Sequence, residues 1–147
     1  EIRDPETVNI AIRAAITGHL VLSTIHTNDT ASTITRLVNM GVDPYLIASS
    51  VVGIMAQRLV KKICTNCKVP IEIDEISATL VGVEKGTTIY KGQGCSKCNG
   101  TGSAGRTAVH EVMVVDRLLR NMINAGKNVD EIKDQAVSGG MHTLKDA

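Results

Sequence analysis

Four cysteines set in two C-x-x-C pairs, Cys64/Cys67 and Cys95/Cys98, constrain this chain more than any other feature of it. Each C-x-x-C turn places two sulfurs on one side of a metal, and two such turns complete a tetrahedral thiolate set with no open coordination position. The spacing predicts a structural zinc bound by Cys64, Cys67, Cys95 and Cys98. Four buried free thiols or two reversible disulfides are the competing readings. Small secreted domains use cysteines as staples because their cores are too small to hold them. Here 43% of 147 residues are apolar, enough for an aliphatic core, so the spacing favours metal in a reducing cytosol. Residues 68–94, between the pairs, are long enough to hold a hairpin or helix of their own. Lys61, Lys62, Lys68 and Lys97 stand beside the ligands, where they would offset the negative charge of a zinc tetrathiolate.

Outside the cysteine segment the pattern alternates helix and strand. Asp4-Pro5-Glu6 is a helix start: Asp caps, Pro suits the first helical position and Glu favours the positive end. Val8, Ala11, Ile12 and Ala15 then share one face, and Gly18 closes the helix. Residues 19–25 (HLVLSTI) read as a short buried strand. A polar loop, His26-Thr27-Asn28-Asp29, leads into a helix with Ile34, Leu37 and Val38 on one face and a stop at Gly41. Asp43-Pro44 begins another helix through Tyr45, Ile47 and Val51. Residues 53–63 (GIMAQRLVKKI) are ambiguous between helix and strand, with a strand over 56–60 favoured; a strand is expected at 107–115, a glycine-rich loop at 92–105, and two short helices at 116–125 and 129–137. Met40, Met55, Met113 and Met122 fall at apolar positions and read as core. His19 suits a turn, His110 a strand without a ligand role, and His142 an exposed end. The alternation points to an α/β sheet.

Several functions are excluded or disfavoured by composition. Sixteen basic and fifteen acidic residues leave a net charge of +1, so no bulk positive field draws nucleic acid or anionic lipid. Two tyrosines with no Phe or Trp supply no stacking platform for single strands. No apolar run approaches the ~20 residues of a membrane span. The opening Glu1-Ile2-Arg3-Asp4-Pro5 is neither a signal peptide nor a Met start, and the chain reads as a piece of a longer protein.

The loop at 23–29 gathers hydroxyl, amide and imidazole groups at the expected C-terminal end of a strand, the edge where open α/β sheets bind ligands. The second cysteine pair, CSKCNGTG, matches the C-x-x-C-x-G-x-G repeat of DnaJ-type cysteine-rich domains, whose glycines let backbone amides turn toward sulfur. The first pair, CTNCKVPI, lacks those glycines, so that resemblance covers little of the chain.

A wider resemblance covers nearly all of it. EIRDPET at the start, ITGHLVLSTIHTNDTASTITRL at 16–37, AQRLVKKIC at 56–64, the four cysteines, and GRTAVHEVM at 105–113 together resemble the secretion traffic ATPases. The match is closest to the assembly ATPases of type II secretion or type IV pili, since retraction ATPases lack the tetracysteine segment. The resemblance implies an α/β fold, the C-terminal part of a RecA-like P-loop ATPase core with a small zinc-binding insertion. Residues 1–63 would belong to that core, 64–98 to the zinc segment, and 99–147 to a returning strand and C-terminal helices. It further implies a homo-hexamer in the bacterial cytoplasm, using ATP and Mg²⁺, peripheral to the inner membrane through a platform protein. Glu1 would match the glutamate that ends the Walker B strand and activates water, and His26 would fall in the family's histidine box near the γ-phosphate. Arg3, Thr24, Thr27 and Asn28 would support them. Gln57, Arg58 and Arg106 match further family motifs near the nucleotide or a subunit boundary, although for both arginines a surface salt bridge is an equal reading. No G-x-x-x-x-G-K-[ST] occurs in these residues, so the phosphate cradle is absent from them. A second function class is a zinc-stabilised interaction module at 64–98 that docks on a platform protein without catalysis. A DnaJ-like cysteine-rich domain is the third.

Overall fold

The computed structural model describes all residues from Glu1 to Ala147. Its order is α1 (Pro5–Ile16), α2 (Thr30–Asn39), α3 (Pro44–Ser50), β1 (Gly53–Ile63), β2 (Lys68–Glu72), α4 (Glu75–Val81), β3 (Thr88–Gly92), a single 3₁₀ turn at Ser96–Cys98, β4 (Ser103–Val114), α5 (Arg117–Asn124) and α6 (Val129–Ser138). The chain divides into two compact units, Glu1–Gln57 with His110–Ala147, and Arg58–Val109. The second unit is wider than the cysteine-bounded segment because it includes most of β1 and β4.

Local chemistry explains the helices. Asp4, Asp29, Asp43, Asp74, Asp116 and Asn128 each cap a helix with a side-chain oxygen that accepts a backbone N–H. Pro5 and Pro44 occupy first-turn positions where a missing N–H costs nothing. In the first unit Val8 and Ile12 of α1, Ile34 and Leu37 of α2, Ile47 of α3, Met113 and Val115, Leu119 and Ile123 of α5, and Ile132 of α6 form one aliphatic core. Arg120 of α5 donates to the Ala48 carbonyl at 2.6 Å and so joins α5 to the end of α3. From residue 111 to 115 the strand alternates, with Glu111, Met113 and Val115 buried and Val112 and Val114 exposed.

The sheets are small. β1 pairs with β4 and β2 with β3, each as a two-stranded sheet. β2 and β3 are antiparallel, with Lys68 opposite Gly92 and Glu72 opposite Thr88. Bonds from the Val115 amide to the Val52 carbonyl and from the Cys64 amide to the Gly102 carbonyl, both 3.0 Å, bracket the β1–β4 ladder and make it antiparallel.

Residues 19–25 differ from their expected state. They form no strand, and Leu20 and Leu22 are 83% and 86% exposed rather than buried. A sheet position needs neighbours that supply a ladder, whereas here β1 and β4 pair with each other. Beside this run lies Ile2, whose amide donates to the Thr24 carbonyl at 2.7 Å. Met55, expected as core, and Val38, expected on the apolar face of its helix, are also exposed, because each falls on the outer side of its element.

The cap of α2 gives a first testable magnitude. Asp29 accepts the Ser32 amide at 2.8 Å, and its second oxygen meets Lys133 of α6 at 3.4 Å. Burial pushes the Asp29 carboxyl up, but the Ser32 bonds and Lys133 outweigh it and leave the group below its ordinary 3.8. Asp29→Ala is expected to cost about 1 kcal/mol of unfolding free energy near neutrality. A carboxylate whose folded pKa is lowered stabilises above its unfolded pKa and ceases to do so as pH falls through the folded one. The gap between wild type and variant in denaturant unfolding therefore closes in acid, below the ordinary 3.8.

Candidate functional site

Two groups of expected residues are brought together, one in each unit. In the first unit Glu1, Arg3 and His26 converge. Arg3 donates to one Glu1 oxygen at 2.6 Å, and the other stands 2.9 Å from His26 Nε2. The Arg3 bond holds the Glu1 carboxyl below the usual range, with Arg3 and His26 charge acting in the same direction. Glu1 is thus an ionised acceptor with both oxygens engaged. His26 is largely exposed, on a loop whose exit is fixed by α2. The Thr27 and Thr33 hydroxyls lie 2.8 Å apart and tie that loop to the first turn of α2. Thr24 contributes its carbonyl to the Ile2 amide, so the segments bearing Glu1 and His26 are joined through backbone as well as side chains. Asn28 is exposed on the same loop. Arg58 on β1 and Arg106 on β4 are exposed and belong to the second unit.

In that second unit the four cysteines meet. Their sulfurs all lie within 4.8 Å of one another. Cys64–Cys95, Cys67–Cys98 and Cys95–Cys98 Sγ separations are 4.0, 3.9 and 3.7 Å. Zn–S bonds of about 2.3 Å at tetrahedral angles would set sulfurs about 3.8 Å apart, so this donor set fits a tetrahedral thiophilic metal. The separations are too long for disulfides, and all four thiols are free.

Backbone donors surround the sulfurs. The Gly94 amide donates to Cys67 at 3.3 Å, the Cys95 amide to Cys98 at 3.2 Å and the Gly102 amide to Cys98 at 3.3 Å. Asn66 Nδ2 reaches Cys95 at 3.4 Å. Burial pushes the Cys98 thiol up, but the Cys95 and Gly102 amides more than reverse this and bring it down to about 6. The Asn66 amide likewise lowers Cys95. Burial dominates at Cys67, which is pushed up to about 11. Lys68, next to Cys67 in the chain, sits over the Tyr90 ring at 3.7 Å. The backbone must come very close to supply these donors. A Cβ at Gly92 would land on the Gly102 carbonyl, and one at Gly102 on that of Gly92. Gly102 also has φ +71, a conformation that side chains rarely adopt.

Sequence reasoning missed one polar residue of the first unit. Glu111 is 1% exposed and receives bonds from Thr30 and Leu144. Its phase with Met113 and Val115 was the available signal, since period-2 alternation puts it on the core face.

The mixed α/β fold is similar to part of a solved structure. A solved structure of the pilus retraction motor PilT with bound ADP superimposes with a TM-score of 0.54 over 99% of this chain and 36% of that one, at 24% identity. The chain belongs to the family described as Type II/IV secretion system protein, which it matches over residues 1–147. It is 48% identical to the type IV pilus assembly ATPase PilB of Thermus thermophilus, covering 99% of this chain and 17% of that protein. It is 43% identical to the type II secretion system protein HxcR of Pseudomonas aeruginosa, covering 99% of this chain and 28% of that protein. The chain therefore spans under a third of the length of either relative. No helix is long and apolar enough to cross a membrane.

Proposed function

We propose that these residues are the C-terminal portion of a RecA-like ATPase that drives assembly of a pilus or of a type II secretion pseudopilus, with Glu1 and His26 in its catalytic site. The observation that carries the reading is the convergence of Glu1, Arg3 and His26, residues 25 positions apart at the extremes, on one carboxylate. An ionised Glu1 with one oxygen on a guanidinium and the other on an imidazole is suited to orient a water and accept its proton. Mg²⁺–ATP, when bound, supplies the phosphoryl group that this water attacks. His26 at a solvent-facing loop is suited to move between Glu1 and developing charge on the phosphoryl oxygens. Thr24, Thr27 and Asn28 support the loop, and Arg58 and Arg106 serve near the nucleotide or a neighbouring subunit. The motor works as a hexamer in the bacterial cytoplasm, peripheral to the inner membrane through a platform protein.

Cys64, Cys67, Cys95 and Cys98 hold zinc, which here fixes structure and takes no part in turnover, since four protein ligands leave no position for substrate. The sulfur separations favour this reading of the second unit. Platform docking by this unit without catalysis remains the second reading, supported by its compactness as Arg58–Val109.

Steady-state hydrolysis of Mg²⁺–ATP by the full-length protein tests the proposal: turnover supports it, and a protein that folds and forms hexamers but leaves ATP intact contradicts it. The 147 residues by themselves are expected neither to hydrolyse ATP nor to bind it at micromolar concentration. Triphosphate affinity rests mainly on the amides, lysine and hydroxyl of a Walker A loop, which these residues do not contain. Calorimetry of this chain with Mg²⁺ and ATP checks it. Tight Mg²⁺-dependent binding would place the nucleotide site elsewhere.

A further inference from the structure

Glu111 is a buried carboxylate with no basic partner, set on the core face of β4 between aliphatic side chains. Burying such a group costs free energy unless its oxygens are hydrogen-bonded. They are, and all the donors come from distant segments. One oxygen accepts both the Thr30 amide at 2.8 Å and the Thr30 hydroxyl at 2.5 Å, and the other accepts the Leu144 amide at 3.2 Å. The Thr30 hydroxyl also lies 3.5 Å from Met141 Sδ. One side chain thus joins β4, the first residue of α2 and the segment after α6.

The place it grips matters. Thr30 is four residues beyond His26, and the intervening loop is itself bound to α2 through Thr27–Thr33 and through the Asp29 cap. The loop is tied to the first turn of α2, which Glu111 holds at Thr30 and whose cap, Asp29, meets Lys133.

We propose that Glu111 is a positioning residue for the His26 loop: by fixing the first turn of α2 to β4 and to residue 144, it sets where the imidazole stands relative to Glu1. The inference rests on the catalytic reading of His26 given above. Glu111 itself touches neither Glu1 nor His26. It acts through Thr30, and a displacement of the loop by an ångström is enough to lose turnover of order ten- to a hundred-fold while leaving nucleotide binding intact.

The test uses the full-length protein and two readouts, steady-state ATP hydrolysis and hydrogen exchange of residues 26–33. Glu111→Ala is expected to lower kcat about ten-fold or more, to change KM for ATP by less than about two-fold, and to speed exchange at 26–33. Glu111→Gln keeps an acceptor for Thr30 but sets an amide N–H₂ against the Leu144 N–H, itself a donor, so it is expected to restore only part of kcat and part of the protection, more than Glu111→Ala retains. Should Glu111→Ala fail to fold, Thr30→Val removes the hydroxyl donor at nearly constant shape and is expected to lower kcat in the same direction by a smaller factor. Wild-type kcat in Glu111→Ala or Thr30→Val would overturn the proposal. So would equal kcat per folded molecule in all variants, with losses confined to thermal stability. A wild-type protein without ATP turnover would remove the catalytic reading instead. Exchange at 26–33 would still report whether Glu111 braces the loop, and unchanged protection there would remove the bracing too.

Discussion

Removing the metal from the second unit, by chelation under reducing conditions or by Cys95→Ser, is expected to unfold residues 58–109 while the helices of the first unit persist. The reason lies in what holds each unit. The first has a continuous aliphatic core running from Val8 to Met141. In the second, the buried apolar groups are few: Ile73, Ala78 and the cysteines Cys64 and Cys98 themselves. Ile76, Leu80 and Val81 of α4 are exposed. A unit of this size with so thin a core depends on its ligands, and a structural zinc contributes on the order of 10 kcal/mol at neutral pH. Without it, several thiols with lowered or raised proton affinity crowd within 4.8 Å, and the close Gly92–Gly102 approach loses its purpose. Metal analysis is expected to give one zinc per chain, and limited proteolysis of Cys95→Ser should cut within 58–109 first. Four freely reactive thiols with no bound metal, and unaltered proteolysis of Cys95→Ser, would contradict a structural zinc.

Much of the fold was legible because its signals are local. Asp-Pro starts, Asx caps and glycine stops specify α1, α2 and α3 within a residue or two. β4 follows in part from its β-branched run, but it begins at Ser103, inside the expected glycine-rich loop, and 53–63, ambiguous between helix and strand by pattern, is strand throughout; the segment between the cysteine pairs holds a hairpin interrupted by α4. The cysteine cluster was legible from spacing alone. Residues 19–25 were not, because an apolar run states only that it wants burial, and whether a ladder forms depends on which strands lie next to it. Exposure of Leu20 and Leu22 is decided by those neighbours rather than by the run. The grouping of Glu1, Arg3 and His26 came from resemblance, since no local pattern joins the ends of a 25-residue separation. Glu111 was hidden for the opposite reason. A lone Glu in a strand reads as a surface residue until its phase with Met113 and Val115 is counted.

The catalytic reading predicts a second large effect. Glu1→Gln keeps the shape of the side chain but replaces an ionised acceptor with a neutral amide, so it cannot take a proton from water, and turnover is expected to fall about a hundred-fold or more. His26→Ala removes the partner 2.9 Å from Glu1 and, on the catalytic reading, a donor to the charge that develops on the phosphoryl oxygens. It should lower kcat strongly with little change in ATP affinity, because ground-state binding rests on the phosphate cradle and not on this loop. The central claim is tested most directly by steady-state ATP hydrolysis and equilibrium nucleotide binding measured side by side on full-length wild type, Glu1→Gln and His26→Ala. The account predicts near-equal dissociation constants for all three, with kcat lost in both variants. Variants that hydrolyse ATP like wild type, or that lose nucleotide binding while keeping kcat, would contradict it.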